Sequence, residues 1–437
     1  MLTTLKNAFK IKEIRTKIFF TLAMLVVIRL GSQLPVPGVD RTYFSSWFAQ
    51  QTGDAFSFFD AITGGSFLNM SILALNIGPY ITSSIIMQLL TIAIPKLEEM
   101  QRDGEDGRKK IASITRYVTV VLAVVNAAAM AIGFGRQGLL VQYNVLNIIT
   151  CIAALTAGSA FVMWVGERIT EKGIGNGISI VLVINIVSRL PQDLANLFDQ
   201  FVFGKAPATA VLAACVIIAI IVLMVVLVII LNAGVRKIPV QYAKKVQGRK
   251  MVGGQTSSIP LKVNTSGVIP VIFASSIMQT PIIICSFVGY QGTGFWGEVL
   301  KYLNQNYWCN RTQPIYTIGM VVYILLVIFF AYFYTSITFN PLMVADNMKR
   351  QGGFIPGIRP GKPTSDYLTK VLNYLIFIGA VGLVIIAVLP FIFGGLFGAH
   401  ISFGGTSLII IVSVILETMK QVESQMLVRN YKGFLND

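Results

Sequence analysis

Apolar positions along this chain come in long unbroken runs. Ten stand out, at about 18–34, 73–94, 117–134, 145–165, 178–190, 208–232, 268–288, 315–337, 371–393 and 405–416. A run of roughly 18 or more apolar residues crosses a bilayer as a helix. Hydrocarbon leaves backbone N–H and C=O groups no other partner, so each run is expected to be helical. The runs are too long and continuous for the alternating, roughly ten-residue strands of a membrane barrel. The first is short, and the fifth and tenth reach span length only by extending into polar flanks. The pattern predicts an all-α integral membrane protein with ten transmembrane helices.

The polar intervals give the orientation. With the N-terminus in the cytoplasm, the inside segments are 1–17, 95–117, 166–176, 233–263, 338–370 and 417–437. They hold most of the 35 Lys and Arg residues. Such a bias marks the cytoplasmic side, and it places both termini there. A basic stretch precedes the first apolar run and no small-residue cleavage pattern follows, so that run is expected to be a retained span.

Composition agrees. Of 437 residues, 54% are hydrophobic and 12% charged, against about 25% charged in ordinary soluble domains. The mean hydropathy is +0.71. The net charge of +16 is first explained by basic cytoplasmic loops, before any nucleic-acid partner. His400 is the single histidine, which excludes motifs that need two. Cys151, Cys215 and Cys285 lie in apolar runs and Cys309 in a polar loop, without metal-ligand spacing. A disulfide framework or a zinc site is therefore not expected, and no metal site is read from the sequence. The spans carry almost no ionisable residue away from their ends, where Arg29 and Glu417 lie. That argues against a pump, an ion-coupled carrier or a voltage sensor, and leaves a passive conduit open. Ten spans divide into five plus five, residues 1–200 and 201–437, with an outer connection near Pro191 to Pro207 as the seam. An odd number per half makes the second half inverted relative to the first.

Several intervals carry more than topology. The connection 233–263 holds Arg236, Lys237, Lys244, Lys245, Arg249, Lys250 and Lys262 without an acidic residue. It serves as an orientation signal and lipid contact, or docks an anionic partner such as ribosomal RNA. In 338–370, Pro356, Gly357, Pro360 and Gly361 bracket Arg359 and force turns around it. The glycines Gly173, Gly175 and Gly177 lack the strand and Gly-Lys-Ser/Thr context of a phosphate loop and mark a tight turn. The segment Ala55 to Met70 is apolar but too short to span. It either lies on the membrane surface or folds back into a protein-lined cavity, with Gly64 and Gly65 as its hinge. Span two contains Asn76, Gln88 and several Ser and Thr, and span seven contains Ser275, Ser276 and Gln279. Such residues glue helices together or line a seam that opens.

Gly-Glu-Arg-Ile-Thr-Glu-Lys-Gly-Ile-Gly-Asn-Gly-Ile-Ser at 166–179 and Tyr-Ala-Lys-Lys-Val-Gln-Gly-Arg-Lys at 242–250 are distinctive. So are Pro-Leu-Lys-Val-Asn-Thr-Ser-Gly-Val-Ile-Pro-Val-Ile-Phe-Ala-Ser-Ser from Pro260, Ala-Asp-Asn-Met-Lys at 345–349, Phe-Ile-Pro-Gly-Ile-Arg-Pro-Gly at 354–361 and Gly-Gly-Thr-Ser-Leu at 404–408. In this order, over essentially the whole chain, they resemble the bacterial SecY family, the channel subunit of the general protein translocase. The resemblance implies two inverted five-helix halves around a central hourglass pore. It implies conduction of secretory polypeptides across the bacterial cytoplasmic (inner) membrane and lateral release of membrane-protein helices into lipid. By motif matching, a hydrophobic pore ring falls on Ile77, Ile81, Leu182, Ile186, Ile272 and Ile410. Leu182 departs from the isoleucine usual there.

The resemblance also implies a plug at about 55–70, with Phe58, Phe59, Ile62, Gly64, Gly65 and Phe67, which favours the folded-back reading. It implies a lateral gate near Gln88, Asn126, Ser275, Ser276 and Gln279. The basic positions Arg236, Lys237, Lys244, Lys245, Arg249, Lys250 and Arg359 become docking sites for the SecA ATPase or the ribosome. The implied partners are SecE, SecG, SecA, the ribosome, signal sequences, nascent polypeptides and membrane lipid. The family implies no cofactor and no enzymatic activity for this subunit. The competing reading is a ten-span small-solute transporter. An intramembrane protease would need a catalytic pair that the chain does not show.

Overall fold

The computed structural model describes residues 8–40, 42, 46, 60, 63–203, 207–242, 245–247, 250–252, 256–288, 294–309, 313–397 and 405–433. Helices occupy all ten expected positions. They are α1 (Lys12–Gly31), α2 (Gly78–Ala93), then, after the short α3 (Pro95–Arg102), α4 (Glu105–Gly133), α5 (Val145–Lys172), α6 (Gly177–Phe201) and α7 (Pro207–Ala233). The second set continues with α8 (Ile269–Val288), the short α9 (Phe295–Leu303), α10 (Ile318–Thr338), the short α11 (Pro341–Arg350), α12 (Lys362–Phe397) and α13 (Gly405–Gly433). Among the described residues, six helical stretches are long and apolar enough to cross a membrane, and a seventh if the bent pair α2–α3 counts as one. The helices α1, α8 and α13 fall short of that measure, α1 and α13 because charged residues enter their ends.

Local chemistry sets the ends. Pro95 follows an extended Ile94 and turns the chain by 106° between α2 and α3. Asn176 caps α6, its side chain accepting from the N–H groups of Ile178 (3.2 Å) and Ser179 (3.4 Å). Asn340 caps α11 in the same way, with Pro341 in the first turn.

The packing repeats. In the first five spans α1 touches α5, α2 touches α4, α4 touches α5, and α5 touches α6. The corresponding pairs in the second five are α7–α12, α8–α10, α10–α12 and α12–α13, and all four touch. Each half has its own apolar core. The first is built around Met70, Ala127, Met130, Phe134 and Leu155, the second around Val271, Met278, Trp308, Tyr323 and Leu383. The halves meet where α4 packs on α8 and where α6 packs on α13 and α7. The outward surface stays apolar, with Leu212, Ile218, Leu223 and Ile230 exposed along α7, as lipid contact requires.

Two expectations need correction. The connection 233–263, read as a loop, is largely a hairpin. Strand β1 (Val235–Tyr242) pairs antiparallel with β4 (Thr256–Lys262), and β2 (Lys245–Gln247) pairs with β3 (Lys250–Val252) toward its tip. A two-residue strand, β5 (Gly353–Phe354), adds to β1 through Gln241 and Tyr242, so the two long basic connections share one sheet. Its inner face puts Ile238, Val240 and Leu261 against Met348, Ile355, Leu368 and Val371. Pro239 is tolerated in the middle strand because β5 pairs only with Gln241 and Tyr242, leaving that side of Pro239 without a ladder.

The fifth span, expected to end near 190, runs on through Pro191 to Phe201, so its connection to α7 is only 202–206. Arg189 and Asp193 therefore lie inside a helix, on its packed face, with Asp193 buried. The expectation that the spans lack interior charge fails for α6.

Candidate functional site

The six aliphatic positions singled out from the sequence come together. Ile77 and Ile81 on α2, Leu182 and Ile186 on α6, Ile272 on α8 and Ile410 on α13 belong to one apolar cluster. Ile77, Leu182, Ile186 and Ile410 are buried, and Ile81 and Ile272 pack against them partly exposed. Unlike the cores within each half, this cluster is stitched from both. It also takes in Ile28 of α1, Val162, Val165 and Ile169 of α5, and Ile411 of α13. The 77/81 and 182/186 pairs each lie one turn apart on one helix face.

Ile77 is placed by its neighbour. Asn76 adopts a left-handed conformation (φ 47°) just before α2, which Asn accepts better than most residues. It is buried, and its Oδ1 accepts from the Ile77 N–H at 2.9 Å. Its Nδ2 donates to the Thr63 carbonyl (3.4 Å), and its own carbonyl accepts from Ser159 Oγ (3.0 Å). One buried amide thus joins the segment before α2, the start of α2 and the middle of α5.

That preceding segment is not laid on a membrane surface. Thr63, Ser66, Phe67, Met70 and Ser71 are all buried. Gly64 (φ 66°) and Gly65 (φ 84°) take the conformation glycine allows. At Gly64 a Cβ would stand 2.7 Å from the backbone oxygen of Asn185 and 2.9 Å from an Arg29 Nη1, so the chain passes closest to α6 there. Of the expected plug residues, Gly64, Gly65 and Phe67 sit in this packed turn, while Phe58, Phe59 and Ile62 lie outside the described residues.

Charged side chains surround it that the site residues expected from the sequence did not include. Asp60 is fully buried and forms an ion pair with Arg189, whose Nε also stands 4.0 Å from Asp193 Oδ1. Asp60 Oδ1 accepts from the Leu68 N–H at 3.0 Å, and its carbonyl accepts from the Gly65 N–H at 3.1 Å. Arg29 on α1 donates to the Gly64 carbonyl at 3.2 Å. The side-chain amide of Asn185, fully buried, meets no partner among the described residues. A signal existed: Leu182, Ile186, Arg189 and Asp193 are spaced for one helix face, which shows once the helix is carried past Pro191.

The expected gate residues are less uniform. The helices α4 and α8 are in contact. Gln88 is half-buried, Asn126 and Ser276 are exposed, and Gln279 is buried. Ser275 is buried and turns its hydroxyl to Tyr323 of α10 (3.5 Å), inside the second half.

At the sheet formed by the two long connections, Arg236 and Lys237 are exposed on β1. Arg359 is exposed between Gly357 (φ 81°) and Gly361 (φ 104°), and its carbonyl accepts from Thr364 Oγ1 at 2.8 Å. The strands β2 and β3 carry Lys245 and Lys250 in their ladder, and Lys244 and Arg249 lie outside the described residues. At the opposite end of the second half, α9 holds a surface cluster. Tyr316 Oη donates to Glu298 at 2.8 Å and Lys301 lies 3.1 Å from it, which together hold the Glu298 carboxyl below its ordinary range.

The family model SecY matches residues 71–419. The protein translocase subunit SecY of Bacillus subtilis is 42% identical over 446 residues and that of Streptomyces galbus 44% over 456, each covering 100% of both chains. That of Corynebacterium glutamicum is 42% identical over 98% of this chain and 99% of its own. Among solved structures, one described as "The structure of a protein conducting channel" superposes with a TM-score of 0.64 at 19% identity, covering 94% of this chain and 93% of its own. "Sec61 in the Canine ribosome-channel complex from the endoplasmic reticulum" gives 0.60 at 18%, covering 94% and 93%.

Proposed function

This chain belongs to the SecY family, and from that premise we propose how its parts share the work. It is a multi-pass membrane protein and a protein-conducting channel. Its two halves, residues 1–200 and 201–437, face each other across the pore. The ring of Ile77, Ile81, Leu182, Ile186, Ile272 and Ile410 closes the waist. An apolar constriction excludes ions by dewetting, and aliphatic side chains close around a passing chain without selecting its sequence. The segment at about 55–70 is the plug on the outer side of that ring.

The contact between α4 and α8 is the closed side door. Gln88, Asn126, Ser276 and Gln279 line it, and Ser275 holds α8 to α10 behind it. When it parts, a signal sequence or nascent membrane helix meets lipid and partitions by its transfer free energy. The cytoplasmic sheet and the turn at Arg359 form one basic docking surface for the SecA ATPase or the ribosome. Lys244, Lys245, Arg249 and Lys250 belong to the same connection and add to its positive charge. SecE and SecG are the membrane partners. The chain sits in the bacterial cytoplasmic membrane with both termini inside, and its partners supply the energy, so it carries no catalytic residue or cofactor.

One observation carries this reading: six aliphatics from four helices and both halves converge in a single cluster. Local packing does not require that, since each half has its own core. A crosslink tests it. In a chain with Cys151, Cys215, Cys285 and Cys309 replaced, Ile272→Cys should form a disulfide with a cysteine in a stalled secretory chain, dependent on SecA or the ribosome. If ring positions never react while outward-facing controls do, the ring is not the conduit.

A further inference from the structure

The charges on α6 sit one to two turns beyond the ring on the same face. Arg189 is 12 residues past Gly177, roughly 18 Å along the helix, well inside a bilayer's hydrocarbon thickness. Charges at that depth are costly and are retained where they do something. Asp60 faces two tasks at once. It folds the plug segment by accepting from Leu68, and it ties that segment to α6 through Arg189. Arg29 adds a neutral tether to Gly64 from α1. Against these stands Asn185, whose buried amide has no partner among the described residues and would gain water if the segment left.

We propose that Asp60 and Arg189 are positioning residues that act as a charge latch: together they set the threshold at which the plug segment leaves the ring, and so which weakly apolar targeting segments the channel accepts. The inference rests on the channel reading above. Aliphatic contacts around a plug can be exchanged for other aliphatic contacts as it shifts, whereas the buried Asp60 carboxylate, once parted from Arg189, is left uncompensated until water reaches it. The latch therefore makes the closed state definite, and the unsatisfied Asn185 amide keeps it from being too deep. Removing Arg189 leaves Asp60 without its cation, and removing Asp60 leaves Arg189 only the looser contact with Asp193 at 4.0 Å, so either single change unbalances the cluster.

That imbalance supplies the test. The full chain, in its membrane complex, is reconstituted into vesicles as wild type, Asp60→Asn, Arg189→Gln, the double variant and Arg189→Lys. Resting ion leak and export of two precursors are measured, one with a normal targeting segment and one with a weakened apolar stretch. Each single neutralisation should raise the resting leak by about tenfold or more and admit the weakened precursor, because an uncompensated charge is left under the ring. The double variant should leak no more than the worse single, and Arg189→Lys should stay near wild type. If the two single effects multiply in the double, or if neither changes the leak, the latch is overturned. A single variant that leaks through misfolding of its own would add its leak to the other's in the double, and so counts against it. Failure of wild type to export the normal precursor would instead overturn the channel reading, while the leak comparison still reports on the pair.

Discussion

The ring and the latch occupy one face of α6, a turn or two apart, and are built on opposite principles. Leu182 and Ile186 make non-directional contacts with aliphatics from both halves. Arg189 pairs with one buried carboxylate, Asp60, delivered by one segment, and its Nε also stands 4.0 Å from Asp193. Apolar contacts are shape-tolerant, with each atom pair adding only a little. A ring of them can open to many widths and close again around any chain. A buried ion pair has one satisfied geometry, and parting it leaves a buried charge uncompensated. Selectivity that ignores sequence and a decisive on–off state are different demands, and neighbouring turns of one helix meet them with different chemistry.

Four variants sharpen or break that contrast. The largest effect is expected for Gly64→Ala on the latch side, where a Cβ would press on the Asn185 backbone and on Arg29 at a positive φ. Overpacking of this kind costs about 3 kcal/mol, visible as a raised resting leak and a lower unfolding temperature of the complex. An unchanged seal would mean that the segment is not held where it is drawn. Next is Ile272→Asn in the ring. It places an amide in the apolar waist at a cost of about 2 kcal/mol and should admit ions and defective signal sequences. Wild-type leak and selection would break the ring assignment.

A smaller effect, about 1 kcal/mol, is expected for Ile186→Val, since a shape-tolerant ring absorbs one lost methylene. Export at the wild-type rate is the expected result, and a severe export defect would show that the ring is a fitted lock after all. The smallest concerns the exposed pair on α9. Because Glu298 is held below its ordinary range by Tyr316 and then Lys301, its contribution is present above that range and lost as pH falls through the lowered value. Glu298→Gln should remove this acid dependence and little else, because exposed pairs are screened. A large stability loss at neutral pH would contradict the contrast with the buried pair.

What could be read in the sequence follows from range. The spans were legible because hydrocarbon demands long apolar runs, and their helices lie where those runs predict. The hairpin β1–β4 was not, because Ile238, Val240, Ile259 and Leu261 alternate only briefly and Pro239 and Pro260 interrupt them. Its face is fixed by α12 and the segment around Ile355, far along the chain. The fifth span was cut short because Pro191 and two charges look like an ending. The helix continues, since its partners α13 and α7 pack along it. The ring members are ordinary aliphatics by composition, and family resemblance singled them out. Family resemblance together with polarity groups Gln88, Asn126, Ser275, Ser276 and Gln279, and the structure separates them by burial and, for Ser275, by its bond to Tyr323.

By itself the sequence determined the solvent of each segment: apolar runs for lipid, basic intervals for water, glycine and proline for the turns between. Those properties are local and depend on transfer free energy per residue. Only the tertiary structure decided that Ile77, Ile186, Ile272 and Ile410 meet, that two distant connections share a sheet, and that Asp60 finds Arg189. The reason is physical. A pairing between residues more than a hundred positions apart costs chain entropy that no local pattern records, and it forms only when the packing of both halves has already brought the partners together.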